Sequence, residues 1–132
     1  MPDDTLLEVS DLTSGYGNET VLQGVDLTIR PGELVAVIGR NGVGKSTLMR
    51  TLTGLLPVRA GRISLAGRDI SGDGAERRAR HGIGYIPQGR EVFPELTVHE
   101  NLVVGEMAGR GRSTPDYDRV YRAFSILKDR AR

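Results

Sequence analysis

The sequence contains no cysteine. It therefore has no disulfide framework and no thiol ligand for a metal, and a reducing compartment suits it. It has no strong excess of charge either: 18 Lys+Arg against 17 Asp+Glu leave a net charge of +1. That balance gives no electrostatic reason to bind a polyanion or an anionic membrane surface, and no nucleic-acid partner is expected. No apolar run approaches the roughly 20 residues that cross a bilayer. The start, Met1-Pro2-Asp3-Asp4, is acidic and lacks the apolar core of a signal peptide. Any link to a membrane is expected to run through partner proteins. There is no internal repeat and no low-complexity tract. All the basic residues except Lys45 and Lys128 are arginine, a bias that carries no motif.

What the sequence does contain is Gly39-Arg40-Asn41-Gly42-Val43-Gly44-Lys45-Ser46, which fits G-x-x-x-x-G-K-[ST]. By chance the pattern arises in roughly 0.5% of chains this long, so it is informative alone. Its context adds to it. Leu34–Ile38 is an apolar, β-branched run of the kind that forms a buried parallel strand. From Ser46 to Leu56, residues Leu48, Met49, Leu52 and Leu56 recur at helical spacing. Strand, glycine loop and helix follow in the order a phosphate-binding loop needs. The glycines let the backbone turn sharply and aim its N–H groups at a phosphate, and the helix adds its unpaired N–H groups and positive dipole end. Lys45 can reach the β- and γ-phosphates as a point charge, and the Ser46 hydroxyl is placed to ligate Mg²⁺. The plainer alternative is a glycine-rich turn with a solvated lysine, but glycines used only for a turn cost backbone entropy for nothing.

Elsewhere the pattern predicts strands over Leu6–Leu12, Val21–Ile29, Gly61–Leu65 and Ile83–Ile86. Turns are expected at 14–18, 31–33 and 66–67. Ala75–Arg80 reads as a short basic helix stopped near Gly82. Thr97-Val98-His99-Glu100 is a capping box, so a helix should start at Thr97 and carry Val98, Leu102 and Val103 inward. That box explains Glu100, which we decline as a catalytic base. A loop is expected over Gly109–Ser113. Thr114 should cap a last helix whose first residue is Pro115, with Val120, Tyr121, Phe124 and Leu127 on its apolar face. His81 and His99 have no ligand-spaced companion and read as solvated. The expected organisation is an antiparallel β layer over about 1–33, a phosphate-loop core over 34–94 and the start of a helical subdomain over 95–132.

Several of these residues together resemble the ATP-binding subunit of ABC transporters, over nearly the whole chain from Leu7 to about Arg130. Tyr16, which alone would be a turn tyrosine, sits in the register upstream of Gly39 where the family keeps an aromatic that stacks on adenine. Val21 is expected beside it. Ile86-Pro87-Gln88 looks like the family's Q-loop, and the resemblance implies that Gln88 touches Mg²⁺ and the attacking water. The stretch Pro87-Gln88-Gly89-Arg90-Glu91-Val92-Phe93-Pro94, then Leu96-Thr97-Val98, is similar to importers for branched-chain amino acids, amides and urea. Residues 39–44 lean toward the urea branch.

The implied fold is α/β: an ABC-type P-loop NTPase core, an N-terminal antiparallel β subdomain and the start of a helical subdomain. The implied ligands are ATP and Mg²⁺, held by Tyr16, Val21, Gly39, Arg40, Asn41, Gly42, Val43, Gly44, Lys45, Ser46 and Thr47, with the metal on Ser46 and Gln88. Lys45 and Gln88 would serve catalysis. The implied partners are a second ATP-binding subunit, transmembrane permease subunits and, indirectly, a solute-binding protein, at the cytoplasmic face of the inner membrane. The family's LSGGQ-type loop, its strand ending in Asp-Glu and its switch histidine have no match here. The chain thus reads as an N-terminal half, truncated before the signature motif, and by itself an inactive nucleotide-binding module. A GTPase is the weaker alternative: Asp69-Ile70-Ser71-Gly72 matches D-x-x-G, but no N-K-x-D motif accompanies it. A small-molecule kinase would need a lid that the sequence does not show.

Overall fold

A computed structural model describes residues 4–40, 42, 44–89, 91–107, 109 and 114–130. The described residues fall into two units, Met1–Arg78 and Ala79–Arg132.

The first unit is built on a four-stranded antiparallel sheet. Its strands are β1 (Leu7–Tyr16), β2 (Glu19–Ile29), β3 (Ala60–Leu65) and the short β4 (Arg68–Asp69), in the order β2-β1-β3-β4. The register runs from Leu7 opposite Ile29 to Tyr16 opposite Glu19. β1 is longer than the pattern suggested. Ser14 to Tyr16, expected in a turn, belong to the strand, and only Gly17 and Asn18 turn. A two-residue hairpin loop favours φ > 0 at its first position, and Gly17 supplies it with φ 52. Between Val9 and Ser14 the ladder slips, with Asp11 at φ 48 across from Gly24 at φ 64. The bulge is tied by the Asp11 N–H donating to Asp26 Oδ1 at 2.8 Å. The expected turn at 31–33 is present, with Pro31 followed by Gly32 at φ 77, the residue order of a type II turn.

Helix α1 (Lys45–Thr53) lays Thr47, Leu48, Thr51 and Leu52 against the sheet. Together with Val9, Leu12, Leu22, Ile63 and Ile70 these make the core. Fully burying each such leucine or isoleucine contributes about 1.5–3 kcal/mol. The helix ends at Gly54, φ 85, whose amide and that of Leu55 close onto the last carbonyls. Helix α2 (Ala75–Arg80) matches its expected bounds.

The second unit holds α3 (Val98–Met107), α4 (Tyr117–Ala123) and α5 (Ser125–Asp129). Two expectations shift here. Asp116, not Thr114, caps α4, its Oδ1 accepting from the Arg119 amide at 2.9 Å, so the helix starts at Tyr117. The apolar stripe from Val120 to Leu127 is broken at Phe124, where φ −132 and ψ 75 leave the helix. His99 is also engaged rather than merely solvated: its Nδ1 lies 3.2 Å from the Tyr121 hydroxyl, and its ring tilts against Tyr117.

The larger correction concerns Leu34–Ile38 and Ile83–Ile86. Neither forms a strand, and neither pairs with another strand among the described residues. Leu34 is 100% exposed, Ile38 92% and Ile86 95%. Runs this apolar suit strands covered on both faces, and such a strand exists only with neighbours to complete its ladder.

Candidate nucleotide site

The site is organised by the start of α1. Gly44 stands at the N-cap in a left-handed conformation, φ 102, and no side chain caps the helix there among the described residues. The first intrahelical bond is Leu48 N–H to the Gly44 carbonyl at 2.8 Å. The amides of the preceding residues are the orphan donors of a helix N-terminus, at its positive dipole end. Gly44 is glycine for a second reason. A Cβ there would lie 2.9 Å from Leu22 Cδ2 and 3.2 Å from Val21 Cγ1. The loop therefore rests directly on β2, and Val21 is at its base.

Lys45 folds back to donate from Nζ to the Gly39 carbonyl at 2.5 Å, spanning the loop from end to end. Ser46 is exposed in the first turn, whereas the Thr47 side chain is buried on the core side. Thr47 can thus serve a ligand only through its backbone amide. Gly39, Arg40 and Gly42 are exposed, and Gly42 has φ 83. Asn41 and Val43 lie outside the described residues. Tyr16 ends β1 on the same hairpin as Val21, with its side chain partly exposed. The first unit thus brings Val21 and the loop into contact and holds Tyr16 on the adjoining hairpin. Gln88 is exposed and belongs to the second unit.

The donor set fits a nucleotide phosphate and Mg²⁺. Orphan amides and an ammonium face one short loop, side-chain volume is excluded at Gly44, and an exposed hydroxyl follows it. Mg²⁺ commonly takes only one or two protein oxygens, with substrate phosphates and water filling its shell. Glu100 is engaged in its helix cap. It accepts from the Thr97 amide at 2.7 Å while its own amide donates to Thr97 Oγ1 at 3.1 Å, the reciprocal cap expected from the sequence. Those bonds, the backbone one first, hold its carboxyl below the ordinary glutamate range. Asp69, the acid of the D-x-x-G match, is likewise occupied in a turn, its Oδ1 accepting from the Ser71 amide at 2.9 Å.

A profile of the ABC transporter family matches residues 22–132. The chain belongs to that family. Among curated members it is 41% identical over 100 residues to the ribose import ATP-binding protein RbsA of Bacillus subtilis (strain 168). That alignment covers 76% of this chain and 20% of the relative. An uncharacterised ABC transporter ATP-binding protein of Rhizobium meliloti (strain 1021) is 43% identical over 75% of this chain and 37% of its own length. A solved structure of an ATP-binding subunit of an ABC transporter superposes with TM-score 0.80 at 40% identity, covering 96% of this chain and 52% of that one. A nucleotide-free ATP-binding cassette gives TM-score 0.71 at 28% identity. The chain thus spans a fifth to about half the length of these relatives. The ABC ATPase fold expected from the motifs is shown. The amino-acid, amide or urea subtype is not, because the named relatives are ribose import proteins.

Sequence reasoning missed three residues that shape the two units, each within its own unit. Arg78 lies in a helix that reads only as short and basic, yet it is 1% exposed. Its Nη1 donates to the Leu52 carbonyl at 3.0 Å and to that of Thr51, and Nη2 to the Ser71 carbonyl at 3.1 Å. Arg59 braces the β1–β2 turn. Asn101 ties Phe93 and Thr97 to α3 through its side-chain amide. No spacing rule marks any of them.

Proposed function

We propose that the protein is the ATP-binding subunit of an ABC importer, and that the loop 39–47 holds Mg-ATP. The observation that carries this is the uncapped start of α1, with Gly44 pressed on β2 and Lys45 laid across the loop. In this reading the α1 amides and Lys45 take the β- and γ-phosphates, and Tyr16 stacks on the base. Ser46 would hold Mg²⁺, which when bound would supply positive charge beside the phosphates. Gln88 is assigned to Mg²⁺ and the attacking water on its sequence pattern alone. Two ATP-binding subunits would close on ATP and pull permease subunits at the cytoplasmic membrane face, with a solute-binding protein delivering cargo.

Two solute classes compete. The relatives' names favour ribose, whereas the pattern over Pro87–Val98 favours branched-chain amino acids, amides or urea. The ATPase does not touch the solute, so the test belongs to the assembled transporter. Phosphate release is measured in proteoliposomes carrying the permease subunits and an ATP-binding subunit that includes the signature loop and catalytic carboxylate, with binding proteins loaded with ribose, leucine, an amide or urea. We expect stimulation by one of the nitrogenous solutes, abolished in Lys45→Ala. Stimulation by ribose alone would overturn the solute reading. Hydrolysis that persists in Lys45→Ala would overturn the function itself.

A further inference from the structure

Tyr16 is held by a strand that is firmly anchored up to Ser14 and exposed beyond Gly15. Ser14 is fully buried, and its hydroxyl donates to the Pro57 carbonyl at 2.8 Å. Thr51 Oγ1 of α1 lies 3.1 Å from Ser14 Oγ. Gly15 is packed so closely that a Cβ would stand 1.9 Å from the Glu19 carbonyl oxygen. Tyr16 itself is followed by the two-residue turn, where Gly17 brings its own conformational freedom.

One side chain closes that turn. Arg59 approaches from the segment after α1, where its amide donates to the Thr13 carbonyl at 2.9 Å. Its guanidinium then reaches the tip: Nη1 donates to the Glu19 carbonyl at 3.0 Å and Nη2 to the Gly17 carbonyl at 2.6 Å. Glu19 is the ladder partner of Tyr16, and Gly17 is its chain neighbour. The planar fork thus bridges the backbone on both sides of the turn, a geometry that a lysine's single ammonium cannot reproduce with equal rigidity.

We infer that Arg59 is a positioning residue for the nucleotide base: it fixes the Gly17–Asn18 turn and with it the backbone that carries Tyr16. Stacking weakens when the backbone that presents the ring shifts, whereas the phosphate loop has its own support on β2. The role rests on the proposed Mg-ATP reading. It predicts that Arg59 acts on the base and not on the phosphates.

The test compares two ligands on the full chain by titration calorimetry: Mg-ATP, and Mg-tripolyphosphate, which has phosphates but no base. Base stacking on an aromatic is worth roughly 5- to 150-fold in affinity, and Arg59→Ala should forfeit part of it, about three- to tenfold for ATP. Tripolyphosphate affinity should not change. Arg59→Lys, which keeps the charge but not the fork, should fall between, and it carries the same comparison if Arg59→Ala fails to fold. In a Tyr16→Ala background Arg59→Ala should cost nothing more. Equal weakening of both ligands, or the same loss with and without Tyr16, would overturn the inference. Lys45→Ala serves as the separate control. If it weakens neither ligand, the phosphate-loop reading fails whatever Arg59 does.

Discussion

Arg78 shows how a single side chain can hold the helix on which the site depends. The last carbonyls of α1 have no partners within the helix, and a buried guanidinium supplies donors to Thr51 and Leu52 while bonding Ser71 as well. Burial pushes the Arg78 pKa down, with the Asp73 carboxylate opposing, yet arginine remains charged in any protein. Removing the guanidinium takes the donor from the Leu52 carbonyl and leaves Thr51 with the Gly54 amide alone. Arg78→Leu should therefore destabilise the fold by about 2–4 kcal/mol, more than a surface arginine could. Urea unfolding followed by circular dichroism checks this, and a change under half a kcal/mol would show that water replaces the guanidinium at no cost. The sequence could not reveal Arg78, because a basic hexapeptide helix looks the same whether its middle arginine faces core or solvent. Lys45, by contrast, stands out in the sequence because glycines, lysine and hydroxyl follow one another in a single loop, and the fold lays its ammonium on the Gly39 carbonyl at the other end of that loop.

At the scale of elements, the start of α3 was legible in detail and that of α4 only in part. Thr97 and Glu100 sit at the spacing that pairs each side chain with the other's amide, and no competing cap lies nearby. At α4 both Thr114 and Asp116 could cap, and the carboxylate that reaches the Arg119 amide prevailed over the hydroxyl before Pro115. The α3 cap has a pH signature. Its bonds lower the Glu100 pKa in the folded state, so its stabilisation is present above the ordinary glutamate pKa. It is lost as pH falls through the lowered folded value. Amides in the first turn of α3 should accordingly exchange faster below pH 4 or so, after correction for intrinsic exchange. Glu100→Gln, which can still complete a capping box, should remove that dependence without removing the helix. An unchanged pH profile in Glu100→Gln would show that another group titrates there.

For the whole molecule, the antiparallel sheet and α1 close their own hydrogen bonds and core, whereas two apolar runs do not. Leu34–Ile38 and Ile83–Ile86 carry the right composition for interior parallel strands. Composition does not supply the neighbouring strands, so their conformation was not legible from their residues. The solved relative of the same fold is about twice as long, with 52% of it covered by this chain. Backbone amides of both runs should therefore exchange much faster than those of β1 in these 132 residues, and the exposed side chains should promote association. Protection of Val35 to Ile38 equal to that of Val9 would mean that a ladder forms after all. The central claim, that the loop ahead of α1 grips the phosphates of Mg-ATP, is tested most directly by calorimetric titration of Mg-ATP into the protein and its Lys45→Ala variant. Lys45 should supply one or two charge-assisted hydrogen bonds of about 1.5–3 kcal/mol each, so the variant should bind at least tenfold more weakly. Equal affinity in the two proteins would contradict it.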